Sequence, residues 1–225
     1  MILRGGSDSY YSSNKLVEIM VKSFLEAELP QNIVQMIPTI EREAVDHLIQ
    51  MKEYVDIIIP RGGKSLVKKV QTISKLPIIG HLEGICHTYI DKDANLKMAN
   101  KVLHNAKLRN TSICGATETV LFHKKIIKKF CNIVLKNLQD SNCKILGDNL
   151  IRKFFKGKIY SAKDKDWSTE YLAPTISAKS VNSCEEAIKH INKYGTSHTE
   201  SIITKNKKTA QKFIKNINSS IVMHN

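Results

Sequence analysis

Cys114 stands in the stretch Arg109-Asn110-Thr111-Ser112-Ile113-Cys114-Gly115-Ala116-Thr117-Glu118-Thr119, just before an apolar run, Val120-Leu121-Phe122, that reads as a strand. The neighbours are small or hydroxylated, and the main chain can approach a ligand closely at Gly115. A thiol so placed can be presented at the floor of a cleft as a thiolate nucleophile. The competing reading is a small buried hydrophobe, which is what most cysteines in reduced proteins are. Lys107 and Arg109 are the nearby charges that could favour the thiolate. Cys143, flanked by Asn142 and Lys144, is the rival for exposure, whereas Cys131 and Cys184 fall in helical patterns and Cys86 in a strand pattern.

Two further turns can do chemistry. Arg4-Gly5-Gly6 and Arg61-Gly62-Gly63 each follow an apolar run, and the second opens a helix. Glycines there let backbone amides face a phosphate, a helix N-terminus favours an anion, and arginine adds charge. Neither is a G-x-G-x-x-G fingerprint, and taken alone a Gly-Gly pair is better explained by ordinary turn chemistry. The cysteines and the eight histidines show no metal-ligand spacing, so no metal is implied.

The elements that must position these residues alternate between β-rich runs and amphipathic stretches. The pattern predicts strands at Met1–Arg4, Asn32–Ile37 and Val55–Ile59, the last of the both-faces-buried kind found in parallel sheets. Helices are predicted over Ser12–Ala27, where Val17, Met20, Val21 and Phe24 share a face, and over Ile40–Met51 and Lys64–Ser74. Strands Leu76–Ile79 and Cys86–Ile90 precede a helix at Ala94–Ala106. Beyond Cys114 come strand Thr119–Phe122, helix Lys124–Leu138 and strand Lys144–Leu146, with Asp148–Pro174 read as irregular. Strand Thr175–Val181, helix Cys184–Lys193, strand Ser201–Thr204, helix Lys207–Ile217 and strand Ser220–Met223 close the chain. This order argues for an α/β fold with a mainly parallel sheet, and a boundary near Lys107 would divide it.

Composition narrows the function. A chain of 225 residues with 42% hydrophobic content can bury a core, and no run is long enough to span a membrane. No signal peptide is read at the start, and five cysteines without a Cys-x-x-Cys pair suit reduced thiols in a cytoplasmic protein. The net charge of +14 raises nucleic-acid binding, but the lysines are spread out. Only Lys124, Lys125, Lys128 and Lys129, and Lys205, Lys207 and Lys208, cluster, at the spacing of a solvated helix face. Nucleic acid and membrane are therefore not expected partners.

Several separate segments together resemble gamma-glutamyl phosphate reductase, an aldehyde-dehydrogenase-like family of proline biosynthesis. They are the Cys114 loop, Ile2-Leu3-Arg4-Gly5-Gly6-Ser7, Glu28-Leu29-Pro30, Val55 through Gly63, Gly84 through Asp91, Glu170-Tyr171-Leu172, Tyr194-Gly195 with His198, and Ser219 through Asn225. The resemblance implies NADPH-dependent reduction of L-glutamyl 5-phosphate to L-glutamate 5-semialdehyde. It makes Cys114 the nucleophile, with its backbone amide donating to the oxyanion. Arg4, Gly5, Gly6, Arg61, Gly62 and Gly63 become cofactor turns, and Glu170 the acceptor for the ribose hydroxyls. Glu83 lies near the place of a general base in many aldehyde dehydrogenases but follows no matching motif, and a solvated carboxylate is favoured. His87 and His198 fit the family pattern either as structural residues or as substrate contacts.

Measured against that family, residues 1–106 read as a partial NADP-binding domain and residues 107–225 as a partial catalytic domain. Segments before the first strand and after Asn225 are expected to be missing, leaving a truncated and inactive relative. The rival readings are an active enzyme completed by a second polypeptide and a basic nucleic-acid-binding or interaction module.

Overall fold

Every strand pairing in the computed structural model, which describes residues Met1–Asn225, is parallel. That agrees with the α/β class expected from the alternation. The chain divides into two compact units, Met1–Leu82 and Glu83–Asn225.

In the first unit, β1 (Ile2–Leu3) leads to α1 (Tyr10–Glu26), then β2 (Gln35–Met36), α2 (Glu43–Leu48) and α3 (Lys64–Ile73). β1 and β2 pair over two residues each, shorter than the strands expected at Met1–Arg4 and Asn32–Ile37, and Asn32 and Ile33 belong to a 3-10 turn instead. Val17, Val21 and Phe24 do share the half-buried face of α1, but Met20, expected beside them, is exposed, and the helix buries no residue fully. The Val55–Ile59 run departs from expectation. It forms no strand, only an isolated parallel bridge between Ile58 and Ile78, closed by Ile58 N–H to Pro77 O and Ile79 N–H to Ile58 O, each 2.9 Å. A run bridged at one residue has no sheet to cover its faces, and Ile57 and Ile59 are exposed. Leu76–Ile79 likewise supplies one bridge and no strand.

The second unit carries a seven-stranded sheet ordered β6-β5-β7-β4-β3-β8-β9. Its elements are β3 (Cys86–Ile90), α4 (Leu96–Leu108), β4 (Thr117–His123), α5 (Ile127–Asp140), β5 (Lys144–Gly147), α6 (Asn149–Phe154), β6 (Tyr160–Ser161), β7 (Thr175–Val181), α7 (Cys184–Tyr194), β8 (Thr199–Ile203), α8 (Lys207–Asn216) and β9 (Ile221–His224). Sequence placed β3 and β7 at these limits. It missed α6 and β6 in the stretch read as irregular. α6 is specified by Asp148, whose side chain caps the helix by accepting Ile151 N–H at 2.8 Å and also accepts Ser180 N–H at 2.6 Å.

Both faces of the sheet are covered, as a parallel sheet requires. On one side Ile90, Val120, Phe122 and Ile176 pack against Leu103 of α4 and Val134, Leu135 and Leu138 of α5. On the other, Tyr89, Leu121 and Ile202 meet Ala187, Ile191 and Phe213 of α7 and α8, with Tyr89 stacked on Phe213 at 6.2 Å between ring centroids. The expected lysine clusters are exposed: Lys124 and Lys125 on a 3-10 turn, Lys128 and Lys129 on α5, and Lys207 and Lys208 at the start of α8. Lys205 lies in the bend before that helix and not on a helix face. β3 and α4 belong to this unit, so the division falls at Leu82/Glu83 rather than near Lys107. The reason is pairing: β3 lies between β4 and β8. No helix is long and apolar enough to cross a membrane.

Candidate active site

The Cys114 loop joins the end of α4 to the start of β4. Asn110 Oδ1 accepts Ser112 N–H at 3.1 Å, and Ile113 O accepts Ala116 N–H at 3.0 Å, so two tight turns hold the cysteine. Cys114 is half-buried, while Cys86, Cys131, Cys143 and Cys184 are buried. The expected rival Cys143 is thus enclosed, and burial pushes its thiol up to about 11. From below, Gly84 lies so close to the loop that a Cβ there would stand 1.8 Å from the Cys114 carbonyl oxygen. Only glycine fits that approach.

Cys86, on β3, donates its thiol hydrogen to the Cys114 carbonyl at 3.1 Å. Burial, followed by the nearby Glu200, raises the Cys86 thiol to about 12, so it stays protonated and able to donate. His198 Nδ1 lies 3.8 Å from the same sulfur and 2.8 Å from Thr199 Oγ1. His198 is therefore beside the nucleophile loop. His87 is not a surface contact: its side chain is fully buried, and its backbone N–H and Nδ1 meet Glu200 Oε2 at 2.7 and 3.1 Å. Glu83 is half-buried rather than freely solvated.

The Glu170-Tyr171-Leu172 segment meets the floor of the loop. Glu170 Oε1 accepts Gly84 N–H at 2.7 Å, the same glycine that abuts Cys114. Leu172 has a left-handed backbone, φ 49°, and its N–H donates to Glu118 Oε1 at 3.2 Å. Glu118 Oε2 pairs with Lys107 Nζ at 2.5 Å, and both side chains are wholly buried. Burial raises the Glu118 carboxyl despite the opposing Lys107 charge. Lys107 therefore does not serve Cys114 as a source of positive charge; it is spent against a carboxylate inside the unit.

A register shift explains how Glu118 is aimed inward. Cys86 pairs with Thr117 and His87 with Thr119, so Glu118 is the extra residue of a bulge on β4. Bulges re-aim a side chain in this way and recur beside functional sites. Sequence reasoning passed over Glu118, Cys86 and Lys107 in these roles. Glu118 escaped notice because the strand was read as starting at Thr119; once β4 extends back to Thr117, a lone carboxylate buried on both faces demands a buried cation.

In the first unit the two Arg-Gly-Gly turns come together. Arg4, Gly6, Arg61 and Gly62 line one cleft of about 640 Å³, with Leu66 and Val70 of α3. Gly5 and Gly63 are not among its lining residues. Gly62 has φ 152°, which disfavours other residues, and Gly63 stands at the N-terminus of α3. Arg4 donates to Ile40 O at 2.5 Å, while its Nε is buried without a partner. An orphaned guanidinium nitrogen beside glycine turns suits an anionic group such as a cofactor phosphate.

A sequence model of the aldehyde dehydrogenase family matches residues 9–166. The chain belongs to that family. It is 45% identical over 225 residues to gamma-glutamyl phosphate reductase of Bartonella quintana, covering 100% of this chain and 54% of the relative. The counterpart in Bartonella tribocorum is 44% identical over 226 residues, covering 100% and 55%. The crystal structure of the Thermotoga maritima gamma-glutamyl phosphate reductase superposes with a TM-score of 0.92 at 35% identity, over 99% of this chain and 54% of that one. A glyceraldehyde-3-phosphate dehydrogenase from Methanocaldococcus jannaschii, complexed with NADP, shares the fold with a TM-score of 0.74 at 17% identity, over 99% and 57%. The chain spans about half the length of the curated relatives it matches.

Proposed function

We propose that this chain carries the nucleophile and part of the cofactor surface of a gamma-glutamyl phosphate reductase, which reduces L-glutamyl 5-phosphate to L-glutamate 5-semialdehyde. The observation that carries the reading is Cys114: it alone among the five cysteines is not buried, and its loop is braced by Gly84 and Cys86 in a chain that matches these reductases along its whole length. The Cys114 thiolate attacks the acyl carbon, phosphate departs with the carbon–oxygen bonding pair, and a thioester remains. The Cys114 backbone N–H donates to the oxyanion as it develops.

NADPH, when bound, supplies the hydride that reduces the thioester to the aldehyde. Arg4 and Arg61 are the residues of the first unit that would hold its phosphates, with Gly6 and Gly62 giving the backbone room to approach. Glu170 would accept from the ribose hydroxyls. Working in reverse gives the cleanest test. Incubation with glutamate 5-semialdehyde and NADP, followed by mass spectrometry, is expected to reveal an adduct on Cys114 that Cys114→Ala abolishes. A folded protein that forms no adduct, or forms it equally after Cys114→Ala, overturns the reading.

A further inference from the structure

The Glu118–Lys107 pair lies behind the segment that contains Glu170, and nothing in the proposed chemistry requires it. A buried ion pair is a poor source of net stability, because desolvating two charges offsets their attraction. Its geometry does something else. One Glu118 oxygen takes Lys107 at 2.5 Å, and the other takes the Leu172 N–H at 3.2 Å.

Leu172 is the point on which this contact bears. A β-carbon-bearing residue at φ 49° is disfavoured unless its surroundings hold it there. Leu172 lies two residues beyond Glu170, so the direction in which Glu170 leaves the chain depends on that turn. Tyr171, between them, is tied to Ser177 Oγ at 2.7 Å, and Lys107 Nζ stands 6.0 Å from its ring. Glu170 in turn reaches Gly84 N–H at 2.7 Å, and Gly84 abuts the Cys114 carbonyl. The path from Glu118 to the nucleophile therefore runs through the Leu172 N–H, back along two residues of chain to Glu170, and on through Gly84 to the Cys114 carbonyl.

We infer that Glu118, held by Lys107, is a positioning residue that sets the Leu172 turn and thereby aims Glu170 and braces the floor of the Cys114 loop. Glu118 touches neither substrate nor cofactor; it acts through Leu172. The catalytic meaning of this role rests on the function proposed above, while the positioning itself does not.

The test uses paired substitutions, because removing one partner alone strands a buried charge and endangers the fold. Lys107→Met with Glu118→Leu removes both charges and the acceptor for Leu172. Lys107→Met with Glu118→Gln removes both charges and restores a neutral acceptor. Hydrogen exchange at the Leu172 amide and NADP(H) affinity by fluorescence titration are read in each. The unsubstituted chain is expected to protect the Leu172 amide although its side chain is exposed. In the Met–Leu variant, exchange at Leu172 should accelerate and NADP(H) binding weaken by about tenfold, the scale of one lost hydrogen bond to a charged group. The Met–Gln variant should recover much of both.

An unprotected Leu172 amide in the unsubstituted chain overturns the inference. So does a cooperatively folded Met–Leu variant in which exchange at Leu172 is unchanged. Should the unsubstituted chain bind no NADP(H), the cofactor reading fails, and exchange at Leu172 alone decides the positioning role.

Discussion

Val55–Ile59 in the first unit and Thr117–His123 in the second are both β-rich runs, but only the second is buried from end to end. Thr117–His123 has a strand on each side and helices on both faces. Val55–Ile59 has one bridge, and Ile59 is 57% exposed. The same contrast holds for helices: α5 buries Ile127, Phe130, Cys131, Val134, Leu135 and Leu138, while α1, longer by sequence, leaves Leu16 62% exposed and buries nothing fully. An apolar run states what a segment can bury. It does not state that a partner is there to bury it, and local stability follows the partners.

The sharpest way to probe the difference is to unpair a charge in each unit. Lys107→Ala leaves the Glu118 carboxylate buried without a counter-ion and should destabilise the second unit by about 3–5 kcal/mol in urea unfolding. Lys69→Ala in the first unit removes a half-exposed partner of Asp46 and should change stability by less than about 1 kcal/mol. Equal losses at the two sites would contradict the contrast.

Acid should discriminate next. His190 is buried, its Nδ1 is 3.2 Å from Lys179 Nζ, and its ring lies 5.4 Å from that of His87. Burial first, then the charges of His87 and Lys179, push His190 down to about 2 from the ordinary 6.5. The folded protein thus keeps His190 neutral where the unfolded chain protonates it. The stability associated with this group is present above the ordinary histidine value and is lost as pH falls toward the folded value. Glu118 and Glu200 have the opposite sign: burial raises both, so protonation on acidification relieves the cost of burying their charge. His190→Phe should therefore flatten the fall of second-unit stability between about pH 6.5 and 5, by up to about 1.4 kcal/mol per pH unit. An unchanged slope would mean that His190 is protonated in the folded state.

A smaller effect is expected on the open surface. Ile59→Ser should alter unfolding free energy by less than about 0.5 kcal/mol, because the side chain is already solvated, while reducing association of the chain at high concentration. Sedimentation velocity and urea unfolding on the same preparation check the two halves of that statement. A large loss of stability would show that this side chain packs in solution.

Sequence was most legible where one residue type had one physical use. β3 and β7 could be read to their ends because short runs of apolar and β-branched residues, set between turn and helix signals, suit a strand covered on both faces. The Cys114 loop was visible from its small neighbours, and the two Arg-Gly-Gly turns from glycine after an apolar run. What could not be read was a use that depends on a distant partner. Glu118 falls in the loop stretch, just outside the strand read at Thr119–Phe122; only the longer β4, with its register shift, turns it toward Lys107. Asp148 opens a stretch with no clear periodicity, yet it caps α6 and ties that helix to Ser180 of β7. Val55–Ile59 carried the strongest apolar signal in its unit and lacks the neighbours that signal requires.

Cysteine reactivity carries the comparison to the scale of single side chains, where no change in stability is expected. Cys86, Cys131, Cys143 and Cys184 all lie in the second unit and are buried, and desolvation raises Cys86 to about 12 and the other three to about 11. Each is thus shielded and deprived of thiolate near neutral pH, because burial disfavours the charged form. Cys114 shares the unit but only half its side chain is enclosed. Limited alkylation at pH 7.5 with peptide mapping should label Cys114 first, and the other four only once urea opens the second unit. The same experiment senses the brace beneath the loop. Cys86→Ser keeps a donor toward the Cys114 carbonyl and should leave the labelling rate of Cys114 near that of the unsubstituted chain, whereas Cys86→Ala removes the donor, frees the loop and should change it by a few-fold. Early labelling of a buried cysteine before Cys114 would show that the loop is not held as described, and identical rates in the serine and alanine variants would remove Cys86 from the brace.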